Sequence, residues 1–207
     1  MELILTKQII NFSADFLSNI IVLSVKKMLN YLKHKWMMSS VSVVVMPRKC
    51  GKSEICKRLN GDACLIVDID SLSRTHLSPQ VLTIVQEYET KNETSSLNLV
   101  LLPIMKALVE ELINNNQGKR IILLTSLIDL VSYLQLKSKY IVLLPTSRFL
   151  NELLVQYTDL SLKNIIMSNQ QNILLKSVES KTKAYDSYNE LLELVIKFTD
   201  GKSKRKL

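Results

Sequence analysis

The sequence predicts a three-layer α/β fold, a parallel sheet of about four to five strands with helices on both faces. Two observations carry this expectation. Short β-branched and aliphatic runs alternate with helical patterns from Val41 to Leu144. Glycine and proline are scarce, four of each in 207 residues, which favours long regular elements over a turn-rich β-sandwich. Apolar residues make up 47% of the chain, too many for a disordered protein. The length suffices for one such domain with a buried core.

The elements follow in order. Val41 to Val45 is a β-branched run suited to a strand buried on both faces. Glu54 to Leu59 begins a helix. Ala63 to Val67 is a second short strand, ending in Asp68-Ile69-Asp70. A polar stretch to about Ser96 contains a helix from Pro79 to Tyr88, since proline suits a first helical turn. Leu97 to Asn114 is a long helix that Pro103 kinks or truly starts. Arg120 to Thr125 is the third strand, Leu127 to Leu136 a helix, and Tyr140 to Leu144 the fourth strand, stopped by Pro145. Ser147 to Tyr157, Leu162 to Ser177 and Thr182 to Phe198 read as helices.

Three segments are expected: residues 1–38, a main domain over 39–200, and a basic tail over 201–207. In the first, Ile9, Phe12, Phe16, Ile20 and Leu23 recur at helical spacing and describe an amphipathic helix. Such a helix either packs on the main domain, anchored there by Trp36, or docks a protein partner or a membrane surface. Polar interruptions, among them Asp15, Lys26 and Lys27, deny it a transmembrane run of about 20 apolar residues. It also lacks the pattern of a signal peptide.

Between the first strand and its helix lies Met46-Pro47-Arg48-Lys49-Cys50-Gly51-Lys52-Ser53. Gly51-Lys52-Ser53 matches the second half of the phosphate-loop pattern G-x-x-x-x-G-K-[ST], and the first glycine position holds Met46. Backbone N–H groups of such a loop and of the following helix wrap phosphates. The nucleotide-binding residues on this reading are Pro47 to Ser53 together with Glu54. Lys52 would contact the β- and γ-phosphates, and the Ser53 hydroxyl would hold Mg²⁺. Methionine resists the positive φ that a glycine permits, and Lys49 stands where many such loops carry glycine. A surface turn and a decayed loop that keeps its shape without chemistry are the competing readings.

Asp68 and Asp70 follow the second strand, and ligands of parallel sheets bind at the carboxyl ends of strands. One carboxylate could orient the metal, assigned here to Asp68 with Ser53, while the other accepts the proton of an attacking hydroxyl. Alternatively, Asp70 or Ser71 caps the next segment. The early acidic pair resembles the small P-loop kinases. Its Asp-x-Asp form is similar to that of shikimate-kinase-type enzymes, and Asp70 with Arg74 to the acid-plus-arginine arrangement of polynucleotide 5′-kinases. Leu144-Pro145-Thr146 resembles a strand end of some nucleotide-kinase-like proteins. From Val41 to Phe198 the chain thus resembles a P-loop NTPase of the small nucleotide and nucleoside kinase group, with a degenerate Walker A loop.

That resemblance implies a P-loop fold, ATP or another NTP with Mg²⁺, and transfer of phosphate to a nucleoside, a nucleotide or a nucleic-acid 5′ end. It makes Lys52, Asp68, Asp70 and Arg148 the catalytic candidates, and Asp70 with Arg74 the acceptor-binding ones. The chain departs from the group in its thin supply of arginines, which phosphoryl transfer uses to balance charge. Thr125-Ser126 also ends the third strand where a metal-binding acid is expected. A nucleotide-binding accessory protein in a nucleic-acid or protein assembly is therefore the alternative.

The formal charge of +8 favours anionic partners, nucleic acid among them, or else marks a solvated basic surface. Cys50, Cys56 and Cys64 lack metal-ligand spacing and suggest a reduced, cytoplasmic setting. Cys50 reads as a loop residue, and its place in the candidate phosphate loop leaves an exposed thiol open. The Asn-, Lys- and Ile-rich composition fits an AT-rich genome and is compatible with a viral origin. His34 and His76 are isolated, and His76, two residues after Arg74, reads as a surface residue or else lines the acceptor site.

Overall fold

The computed structural model describes residues 41–199 apart from 60, 62, 63, 92, 137 and 138. The amphipathic segment over 1–38, with Trp36, and the tail over 201–207 lie outside the described residues.

The strands are β1 (Val41–Val45), β2 (Cys64–Asp68), β3 (Arg120–Thr125), β4 (Tyr140–Pro145) and β5 (Thr182–Tyr185). They form one sheet in the order β2-β3-β1-β4-β5, and every pairing is parallel. The helices are α1 (Lys52–Leu59), α2 (Ile69–Thr75), α3 (Pro79–Thr90), α4 (Thr94–Asn115), α5 (Asp129–Tyr133), α6 (Ser147–Val155), α7 (Leu160–Lys176) and α8 (Tyr188–Thr199). The expected α/β architecture is present, with five strands.

The central strands are apolar because both of their faces are covered. Val44, Ile122, Leu124, Ile66 and Leu143 form one buried cluster with Ile55 of α1, Phe149 and Leu153 of α6, and Leu191 and Val195 of α8. Their neighbours Val43, Val45, Ile121, Leu123 and Val142 point the other way and are fully buried too. Each such side chain contributes about 1.5–3 kcal/mol through burial. From β1 the chain passes beyond β3 to reach β2, and every later step runs in the opposite direction. With right-handed crossovers, α1 and the connections after β2 and β3 must fall on opposite faces. There α4 buries Leu97, Leu101, Met105 and Leu108 at helical spacing and carries α2 and α3.

Four local expectations are corrected. The polar run Ile69–Thr75 is helical, begun by the cap that Asp68 supplies. Pro103 lies inside α4 on its exposed side, so that helix starts earlier, at Thr94. The helix after β3 shortens to Asp129–Tyr133. The predicted helix over Thr182 to Phe198 is a strand followed by a helix: Thr182–Tyr185 pairs with β4, and α8 starts only at Tyr188. As an edge strand β5 needs little apolar sequence, and Tyr185 is its one buried residue.

Candidate functional site

The loop after β1 is held from its own ends. Met46 continues the ladder, its N–H donating to the Thr125 carbonyl at 2.9 Å, and its side chain is fully buried. Among the described residues, the non-glycine residues with positive φ are Lys49 (59°) and Gln135 (58°), so Met46 bears no left-handed strain. The turn falls instead at Lys49 and at Gly51, φ 103°. A Cβ on Gly51 would come within 2.8 Å of the Tyr188 ring. Position 51 therefore requires glycine for its backbone angle and for the close approach of α8.

Neighbouring elements clamp the rest of the loop. The Arg48 N–H donates to Asn169 Oδ1 at 3.1 Å, and Asn169 Nδ2 donates to the Ser126 carbonyl at 3.1 Å. One amide on α7 thus ties the ends of β1 and β3 together. The Tyr185 hydroxyl at the end of β5 donates to the Cys50 carbonyl at 3.2 Å. Cys50 itself is buried, which rules out the exposed thiol that its loop position left open. Burial pushes its thiol up to about 11, against the pull of Lys52 and Tyr185. A thiol held there stays protonated and unreactive at neutral pH.

Lys52 opens α1, only 8% exposed, with Nζ 3.4 Å from the Pro47 carbonyl and 3.3 Å from Asp70 Oδ2. Asp70 also accepts from Thr125 Oγ1 at 2.6 Å and from the Ser126 N–H at 2.7 Å. Burial alone would raise the Asp70 carboxyl; Lys52 and the two donors outweigh it and hold it below the usual aspartate range. An acid reaching from α2 thus occupies the end of β3, where that strand supplies no acid of its own.

Asp68 differs. Its Oδ1 accepts from the Ser71 N–H at 3.2 Å and caps α2, a capping role expected of Asp70 or Ser71. Burial, then the neighbouring Asp70, raises its carboxyl above the ordinary range. Of the pair, Asp70 is the fixed anion and Asp68 the better proton acceptor.

These groups line a cleft of about 600 Å³ at the carboxyl edge of the sheet. Of the expected site residues it collects Arg48, Lys49, Gly51, Lys52, Ser53, Glu54, Asp68, Asp70 and Arg74. Pro47 and Cys50 contribute their carbonyls to the loop's own bonding. Arg148 is not brought in. It is exposed and paired with Asp186 after β5. Asp129 lies apart as well, accepting from Asn98 Nδ2 at 2.7 Å and Lys176 Nζ at 2.6 Å.

Glu89, Asn169 and Tyr188 are site residues that the sequence reading missed. Glu89 is nearly buried, and its Oε1 takes Arg48 Nη2 at 2.6 Å as well as Arg74 Nη2. No local pattern marks it, because its partners come from the loop and from α2. The cations Arg48, Lys49, Lys52 and Arg74 therefore face the acids Glu54, Asp68, Asp70 and Glu89, and the cleft's formal charges cancel.

Among the described residues, no group of three or more His, Cys, Asp or Glu side chains converges as a metal cage, and no helix is long and apolar enough to cross a membrane. No protein-family model, no curated protein and no solved structure matches this chain.

Proposed function

We propose that the chain binds a nucleoside triphosphate with Mg²⁺ in this cleft and transfers its γ-phosphoryl group to a hydroxyl acceptor. The observation that carries the reading is Lys52, nearly buried at the foot of a tight loop, paired with Asp70 at 3.3 Å and lining a strand-end cleft. The N–H groups of Lys52 and Ser53 precede the first helical bonds of α1, which Glu54 and Ile55 make to the Gly51 carbonyl. They lie at the positive end of the helix dipole, so they suit phosphate oxygens. Lys52 adds a point charge there.

A magnesium ion bound with the triphosphate would draw charge from the β- and γ-oxygens. Ser53, at the open start of α1, would hold it alongside phosphate oxygens and water, the sparse protein ligation that Mg²⁺ favours. A cleft without net charge suits a polyphosphate that arrives with its counter-ion. Transfer forms a bond from the acceptor oxygen to the γ-phosphorus and breaks the bond from that phosphorus to the β–γ bridging oxygen. The nucleoside diphosphate leaves with that electron pair, and the acceptor's proton passes to Asp68. Asp70 acts as a positioning residue, keeping Lys52 charged and in place.

A second reading, a nucleotide-binding accessory protein, is favoured by one observation. Glu89 commits both cleft arginines, so neither is free to stabilise transferred charge. Transfer of labelled γ-phosphate to a pool of nucleosides, nucleotides and 5′-hydroxyl oligonucleotides separates the two. Label in an acceptor, lost in Asp68→Asn, supports the phosphotransferase. Binding of Mg-ATP with no labelled acceptor supports the accessory protein.

A further inference from the structure

A second hollow opens beside the cleft, between α3, α4 and α7. It encloses about 250 Å³ and shares Arg48, Glu89 and Ile165 with the cleft. We infer that this hollow holds the body of the phosphoryl acceptor, an uncharged, ring-bearing alcohol of nucleoside size rather than a phosphomonoester. The inference rests on the triphosphate reading and narrows its acceptor.

Size comes first. The hollow, at about 250 Å³, is a little smaller than the roughly 300–1,000 Å³ of sites for drug-sized ligands and suits a small ligand of nucleoside size. Its lining is the second point. Tyr88, Leu97 and Leu127 supply aromatic and apolar lining, while Thr94, Ser168 and Asn172 have side chains without a hydrogen-bond partner among the described residues. Apolar walls with a few convergent polar groups orient a heterocycle by its edge.

Charge decides the class. The charged residues lining the hollow are Arg48 and Glu89, and they pair with each other. Glu89 takes Arg74 on the cleft side as well. A phosphomonoester dianion would meet no uncommitted cation there and would face a carboxylate. A hydroxyl of the ligand other than the reacting one instead finds in Glu89 an acceptor, at the wall where the hollow meets the cleft.

The test uses the full chain and calorimetric titration with thymidine, deoxycytidine, adenosine and guanosine, each against its own 5′-monophosphate, with Mg-ATP melting curves in parallel. At least one nucleoside should bind tenfold or more tightly than its monophosphate. Ser168→Leu and Asn172→Leu, which fill the hollow, should each weaken that nucleoside tenfold or more and leave the Mg-ATP melting shift intact. Glu89→Gln should close the gap between nucleoside and monophosphate. Monophosphates binding as well as nucleosides in the wild type would overturn the inference. So would nucleoside binding that neither filling variant alters, or a normal Mg-ATP shift with no nucleoside bound. Nucleoside binding without any Mg-ATP shift would overturn the triphosphate reading and leave the hollow's ligand class standing. Binding of neither overturns both.

Discussion

Lys49 and Gly51 show how little room the loop has. A non-glycine residue in the left-handed region costs about 1–2 kcal/mol, so Lys49→Gly should raise the melting temperature by a few degrees. Gly51→Ala should lower stability by about 1–3 kcal/mol, because the angle is strained and the Tyr188 ring blocks the new methyl. Calorimetric melts read both. Asp70 sets a pH dependence. Its folded carboxyl titrates below its ordinary value, so its stabilisation is present above that value and lost as pH falls through the folded one. Asp68, raised by burial, has the opposite sign: it opposes folding once pH exceeds the ordinary aspartate value. Asp70→Asn leaves Lys52 nearly buried without its counter-charge and should cost about 3 kcal/mol at neutral pH, a deficit that shrinks in acid. Melts from neutral to acidic pH check this. A deficit that does not shrink in acid would remove the ion pair as its cause. Gly51-Lys52-Ser53 and the acidic pair were legible in sequence because loop chemistry is local. Glu89 was not, because its partners are distant in sequence, and the burial of Cys50 was not, because a loop position says nothing about burial.

Among elements, β5 supports the site's loop and was misread as helix. Thr182-Lys183-Ala184-Tyr185 carries no strand pattern, since an edge strand buries one residue here and takes its order from β4. That residue, Tyr185, reaches the loop through the Cys50 carbonyl. Tyr185→Phe leaves a buried carbonyl without its donor and should cost about 1–3 kcal/mol. It should also weaken Mg-ATP several-fold, because the loop loses its support on the side of α8. A melt combined with a titration checks both halves. Unchanged affinity would show that the loop holds its shape without β5. The central strands were legible because burial on both faces demands unbroken Val, Ile and Leu. Helix α2 was not, because Ile69–Thr75 is short and polar and depends on Asp68 for its start.

At the scale of the molecule, the parallel sheet brings the ends of β1, β2 and β3 together at one edge, so a loop and an acid far apart in sequence share one cleft. The formal charge of +8 does not describe that cleft, whose own charges cancel. Any attraction for nucleic acid belongs to other surfaces and should fall with salt. The cleft's ligand should instead be read through Lys52. The direct measurement is titration of Mg-ATP into the wild type and Lys52→Ala, with Ser53→Ala beside them and melts to establish folding. Wild-type protein should bind, and at a hundred times its Kd the ligand should add about 2.7 kcal/mol, a rise of roughly 5–11 °C. Lys52→Ala, losing charge-assisted bonds of about 1.5–3 kcal/mol, should bind roughly 10–150-fold more weakly. No binding by folded wild type, or equal binding by folded Lys52→Ala, would contradict a triphosphate site in this cleft.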